Sequence, residues 1–197
     1  VSLRSAQKRM TRTRLQESGL KIFQEKGYVA ATVDDIAAGA GANRATFYLH
    51  FSSKAQLMRA LIEEINETIV ASDVPRLTTV IAEGGRDQIR AFHNRRFEQW
   101  PAIMPTITAA NQAADVDAEV QAAVTSWHET PIAEIAAGLE LSGRFEPASR
   151  HARAVAAFAQ LEYFSRRWAH EGWGNGLERE ASLDVLTEAW YCLLVGA

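Results

Sequence analysis

Residues 32–54 read TVDDIAAGAGANRATFYLHFSSK, and this stretch decides the fold class of the chain. Thr32 is a side chain suited to capping a helix N-terminus, and Asp35 stands three residues on, in the capping-box position. The spacing predicts a short helix from Val33 to about Gly39, with Val33, Ile36 and Ala37 turned inward. Gly41 supplies a sharp bend after it. Asn43 caps a second short helix that ends at Tyr48 or His50, with Phe47 inward. Ser52 or Ser53 caps the next helix, on which Leu57, Leu61, Ile62 and Ile65 form one stripe.

Two short helices around a small-residue bend make a helix-turn-helix. Such a unit presents its second helix to the DNA major groove by the N-terminal end, where short or polar side chains allow close approach. Asn43, Arg44, Ala45 and Thr46 meet that need. Arg44 can reach a guanine edge or a phosphate, and Ala45 and Thr46 can meet a thymine methyl. Tyr48 and His50 lie at the helix exit, within reach of phosphate oxygens. Thr32 offers a hydroxyl and free N–H groups at a helix start. Lys54 opens the next helix at the end that disfavours a cation, and a bound phosphate there would account for it. Taken singly, Thr32 and Asn43 are plain caps, Tyr48 and His50 ordinary packing residues, and Arg44 and Lys54 solvated charges. Gathered around one bend, they point to a polyanion surface.

Charge is distributed to match. The chain of 197 residues has a formal net charge of −3. Residues 1–60 hold ten Lys/Arg against four acids, a net +6, and the remainder is −9. A basic head on an acidic body confines attraction for nucleic acid to one end. Upstream of the helix-turn-helix, residues 1–10 read as a basic arm and Thr11–Lys26 as a helix with Leu15, Gly19, Ile22 and Phe23 on one face. Gly27 stops it and Tyr28 folds back on the core.

Residues 15–57 resemble the DNA-binding domain of the tetracycline-repressor (TetR) family of bacterial transcriptional regulators. The likeness rests on Ile22-Phe23, Gly27-Tyr28, Thr32-Val33-x-x-Ile36-Ala37, Ala40-Gly41, Thr46-Phe47-Tyr48, His50-Phe51, Lys54 and Leu57. It implies that Thr32, Asn43, Arg44, Ala45, Thr46, Tyr48, His50 and Lys54 sit where family members touch double-stranded DNA. Asn43 replaces the commoner Ser or Thr, and Gly19 stands where Ala is usual, at a helix-propensity cost of about 1 kcal/mol unless close packing requires it. The resemblance implies an all-α chain: a DNA-binding domain over residues 1–55 and a helical effector-binding and dimerisation domain over 56–197. The function it implies is a ligand-responsive repressor, acting as a homodimer on a palindromic operator.

The rest of the chain reads as helices at 87–100, 101–111, 117–141, 147–171 and 178–195, with prolines at 75, 101, 105, 131 and 147 marking starts or kinks. The last two are strongly apolar. These two helices either pack on the body only or also pair across a two-fold axis as a four-helix dimer seam, for which Val155, Phe158, Leu161, Leu183, Leu186 and Trp190 are the expected residues. Polar groups set among apolar ones mark a pocket: His93, Arg96, Trp100, Asn111, Trp127, Glu129 and Tyr163. The abundance of Trp and Phe suits an apolar or aromatic effector. The glycines of Gly172-Trp173-Gly174-Asn175-Gly176 form an interhelical loop, since no strand precedes them as a dinucleotide site requires. The five histidines lack metal-ligand spacing, there is no nucleophile motif, and no cofactor is expected. An enzyme or a helical adaptor are the competing readings. The lone Cys192, in WYCLLVG, reads as a buried small hydrophobe, and with no apolar leader or span a cytoplasmic, non-membrane location is expected.

Overall fold

The computed structural model describes residues 3–196. In chain order the helices are α1 (Leu3–Ala30), α2 (Val33–Gly39), α3 (Arg44–Tyr48), α4 (Lys54–Ser72), α5 (Leu77–Glu83), α6 (Arg86–Ala114), α7 (Ala118–Ser142), α8 (Pro147–Glu171) and α9 (Arg179–Leu194). The fold is all-α; the only β feature among the described residues is an isolated bridge between Gly174 and Leu177. No helix among them is long and apolar enough to cross a membrane. By internal contacts the chain divides into two units. One takes in the chain up to Glu67 together with Pro105–Thr125, and the other Thr68–Met104 together with Ser126 onward. The unit that contains the helix-turn-helix therefore extends past residue 55.

In the first unit, Leu15, Phe23, Ile36, Phe47, Phe51, Leu57 and Met58 are buried to 1 % exposure or less. Helical spacing predicts the inward faces of Leu15, Phe23, Ile36 and Leu57, while Phe51 and Met58 come inward only in the fold. Ser18, buried on α1, donates its hydroxyl to the Ile36 carbonyl at 2.8 Å and ties α2 to α1. Gly19 lies against Leu57, and a Cβ there would fall 2.6 Å from Leu57 Cδ2, so close packing explains the glycine. α1 departs from helical geometry at Gly27, where φ is 76°. Tyr28 then turns back to 5 % exposure, as expected. Residues 3–10, read as an arm, are helical and extend α1 toward the N-terminus; residues 1 and 2 of that arm lie outside the described residues.

The second unit is built around Leu77, Val80, Ile81, Ile89, Phe92, Ile135, Leu139, Leu186, Trp190 and Leu194. α5 escaped the sequence reading because seven residues are too few for a clear period, although Leu77, Val80 and Ile81 sit at i, i+3 and i+4. The helices expected at 87–100 and 101–111 are one continuous α6. Pro101 and Pro105 each remove a ladder hydrogen bond, yet burial of Trp100, Ile103 and Met104 on either side holds the helix together. Pro131 is likewise carried inside α7. The Trp190 indole N–H donates to the Ala157 carbonyl at 3.1 Å, locking α9 onto α8. Arg144 donates to the carbonyls of Ile81, Ala82 and Leu194, so one guanidinium caps the ends of two helices. Cys192, expected inside, is exposed on α9 with its thiol 3.4 Å from Glu188 Oε1.

Candidate nucleic-acid interface and effector site

α2 begins at a complete capping box. The Thr32 hydroxyl oxygen accepts from Asp35 N at 3.1 Å, and Asp35 Oδ2 accepts from Thr32 N at 3.2 Å. The Lys26 ammonium, 2.7 Å from Asp35 Oδ1, and the bonds from Thr32 hold the Asp35 carboxyl down at about 2. The bend follows, with φ 66° at Gly41 and Ala42 N donating to the Ala37 carbonyl at 2.9 Å. Asn43 caps α3: its Oδ1 accepts from Thr46 N at 2.8 Å and from the Thr46 hydroxyl at 3.0 Å.

Phe47 is fully buried and fixes the roll of α3, with Phe51 and Tyr48 packed against its ring. That roll leaves Asn43, Arg44, Ala45 and Tyr48 exposed, Thr46 half-buried and Thr32 exposed nearby at the start of α2. Arg44 Nη1 lies 2.8 Å from Asp34 Oδ2, its Nη2 donates to the Tyr48 hydroxyl at 3.3 Å, and the guanidinium stands over the Tyr48 ring. Leu49, which the sequence reading passed over, is 77 % exposed at the α3 exit. Only the turn-by-turn roll of α3 distinguishes it from Phe47, two residues earlier.

Two of the expected phosphate contacts, Lys54 and His50, also have partners within the chain. Lys54 donates to the carbonyls of Tyr28 at 2.7 Å and of Val29 and Ala31 at 3.3 Å, with its ammonium 4.4 Å from the Tyr28 ring centre. The negative C-terminal end of α1 thus accounts for a cation that the start of α4 alone would disfavour. His50 is half-buried, and burial, with the charges of Lys8 and Arg12, holds its imidazole below the ordinary value. Its carbonyl accepts from Arg12 Nη1 at 3.0 Å.

In the second unit, His93, Arg96 and Trp100 are buried, Trp127 is half-buried, and Glu129 and Tyr163 are exposed. Asn111, half-buried, belongs to the first unit. The His93 ring meets Trp190 edge-on, 4.5 Å between centres, and neither of its nitrogens has a hydrogen-bond partner. Burial, and secondarily the Arg96 charge, pushes His93 down to about 3. Arg96 is paired with Asp73, donates to Gln99 Oε1 at 2.6 Å and lies over the Phe92 ring. Phe97, Trp100, Trp168 and Trp173 form an aromatic cluster in which Trp100 and Trp173 stack at 5.5 Å. His128 packs on Phe158 and stands 4.0 Å from Glu162, whose nearer partner is Arg166 at 2.7 Å. No group of residues fit to hold a metal occurs among the described residues.

The expected dimer residues divide. Leu161, Leu183, Leu186 and Trp190 are interior to their own unit and cannot also form a seam, because one helix face cannot pack on both. Phe158 is half-buried, while Val155 is exposed, as are Tyr163 and Val185 on the same two helices.

Residues 16–61 match the family model described as bacterial regulatory proteins, tetR family. The regulator TtgR of Pseudomonas putida is 38 % identical over 58 residues, which are 29 % of this chain and 28 % of that one. The sequence match thus spans about a quarter of that relative's length. The fold likeness runs further. A proposed TetR-family regulator from Syntrophomonas wolfei superposes with a TM-score of 0.76 at 17 % identity, over 94 % of this chain and 95 % of that one. The structure of SmeT with triclosan gives 0.74 at 18 % identity, over 91 % and 90 %. The likeness to bacterial regulatory proteins of the tetR family thus lies in residues 16–61, and the fold of the chain as a whole is like that of these solved structures.

Proposed function

We propose that the chain is a DNA-binding transcriptional regulator that acts as a homodimer on a palindromic operator and responds to a small molecule. The observation that carries this is the exposed tip of α3, where Asn43, Arg44, Ala45 and Tyr48 face outward on a helix pinned from behind by Phe47. Thr32 and Thr46 border the tip and supply phosphate or base contacts. Two such tips bind successive major grooves about 34–36 Å apart. Pairing runs through the faces of α8 and α9 that carry Val155, Tyr163 and Val185 rather than through the buried leucines. That SmeT is seen with triclosan supports a ligand within the helical body. Repression is the sign we favour: a ligand that prefers the state with the wrong separation of the two tips releases DNA. An enzyme is the weaker reading, since TtgR, 38 % identical over 58 residues, is a regulator.

The test is retardation of the intergenic DNA beside the protein's own gene. Binding to an inverted repeat, weakening steeply as salt rises, is the expected result. No retention of that DNA at low salt, or retention insensitive to salt, overturns the reading.

A further inference from the structure

The basic arm at the start of the chain is a charged feature that the recognition tip does not use. From Leu3 onward it is helix, continuous with the turns of α1 that pack in the core. Arg4, Lys8 and Arg12 stand at i, i+4 and i+8, and Leu15, three residues on, falls on the same side. The face of α1 that buries Leu15 completely thus continues, toward the N-terminus, as a row of cations. Arg4 and Lys8 are exposed. No acid precedes Glu17 in the sequence. Among the described residues the side chains of Arg4 and Lys8 have no hydrogen-bond or ion-pair partner.

Arg12 fixes where this row lies. Its Nη1 donates to the His50 carbonyl at 3.0 Å, and its guanidinium stands 4.2 Å from the centre of the Phe51 ring. α1 is thereby tied to the exit of α3, next to Tyr48 and Leu49, which are exposed. Lys8 lies one turn farther out. It is near enough that its charge, after burial, helps to hold the His50 imidazole below its ordinary value. At about 1.5 Å per residue, Arg4 stands about 12 Å beyond Arg12 along the axis. The row therefore begins at the α3 exit and runs on past it. Like charges four residues apart on a helix repel, and among the described residues no carboxylate offsets that repulsion here. A strand of phosphates does.

We infer that the first turns of α1 are a second DNA-binding element: Arg4 and Lys8 take backbone phosphates of the duplex flanking the groove that α3 enters, and Arg12 positions the row. This rests on the DNA-binding reading above and carries the contact beyond the helix-turn-helix. Contacts to phosphate add affinity and footprint without reading bases. Arg9 and Arg14, exposed on other sides of the same helix, take no part.

The probe is a fluorescein-labelled duplex of random sequence, titrated with the full chain and followed by anisotropy at salt from about 50 to 200 mM. The double variant Arg4→Gln, Lys8→Gln is expected to bind severalfold more weakly. Its slope of log K against log salt should be shallower by about 0.9 for each phosphate lost, or about two per protomer. Arg9→Gln with Arg14→Gln removes the same charge from the same helix and should keep the unmodified slope. Arg4→Lys with Lys8→Arg should bind as the unmodified chain does. Glutamine forms helix about as well as arginine or lysine, so equal urea midpoints are expected throughout. Should the first double variant unfold, Arg4→Gln alone, at the far end of the row, should lose half as much slope. An unchanged slope on removing Arg4 and Lys8, or equal losses in the two double variants, overturns the inference and leaves the DNA-binding reading standing. No binding of the duplex by the unmodified chain at low salt overturns both.

Discussion

The Lys54 ammonium lies 2.7 Å from the Tyr28 carbonyl oxygen and 4.4 Å from the centre of the Tyr28 ring, so α4 begins by closing the open end of α1. The Tyr28 hydroxyl in turn donates to Asp117 Oδ2 at 2.6 Å, and Asp117 Oδ1 accepts from Glu119 N at the start of α7. A hydrogen bond to a charged group contributes about 1.5–3 kcal/mol, less where partly solvated. Lys54→Met should therefore cost about 1–2 kcal/mol of stability in urea unfolding. It should leave the salt dependence of DNA binding unchanged. A salt slope shallower by about one counterion would instead return Lys54 to the phosphate role that its sequence position suggested.

Arg44 is held before DNA arrives. Its bond to Asp34 and its stacking over Tyr48 keep the guanidinium folded on the surface of α2 and α3. Exposed pairs of this kind are weak, about 0–1 kcal/mol, so DNA can compete for the arginine. Asp34→Asn should release it, remove a negative charge from the interface and tighten operator binding severalfold in an anisotropy titration. Arg44→Ala should weaken binding to the cognate operator by about 1–3 kcal/mol if the side chain reads a base. Equal losses on operator and random DNA would reassign Arg44 to the phosphates, and unchanged or weaker binding by Asp34→Asn would remove Asp34 as a competitor.

Gly19 separates helix propensity from packing. In an isolated helix Gly→Ala is worth about 1 kcal/mol in favour of alanine. Here the added methyl meets Leu57, itself fully buried, and Leu57 has nowhere to go without moving its neighbours. Overpacking costs about 1–3 kcal/mol, so Gly19→Ala should be destabilising on balance. Gly19→Ala with Leu57→Val should recover part of the loss. A stabilised single variant in chemical denaturation would show that the Leu57 side chain gives way freely.

The helix-turn-helix was legible because its signals are local. Thr32, Asn43 and Gly41 act within four residues of themselves, and Ile36 and Phe47 follow from a helical period. What the sequence hid depends on distance along the chain. Lys54 and the α1 carbonyls are more than twenty residues apart, so their pairing shows only in the fold. The apolar run of α9 has one side that packs on α8 and one that does not, and composition cannot say which side carries Leu186 and which Val185. Arg95 and Arg96 are adjacent in HNRRFEQW. Arg96, one of seven residues expected at a pocket, is paired with Asp73, while Nε and Nη2 of Arg95 have no partner.

His93 makes the pH dependence of stability testable. Its imidazole is lowered from 6.5 to about 3 in the folded chain, by burial first and then by the Arg96 charge. Between those values the unfolded chain binds a proton at this residue and the native chain does not. Its contribution is thus complete above about pH 6.5 and is lost as the pH falls toward 3, at a slope of up to about 1.4 kcal/mol per unit. His50 and His128, also lowered chiefly by burial, add slopes of the same sign, so the comparison must be with a variant. His93→Leu removes the titrating ring together with two buried nitrogens that have no partners. Urea midpoints measured at pH 7.5, 6 and 5 should fall less steeply for this variant than for the unmodified protein, with the variant the more stable of the two at pH 5. Parallel curves would mean that the His93 ring takes up its proton in the folded state as readily as in the unfolded one, which requires a partner or a path to water at this position.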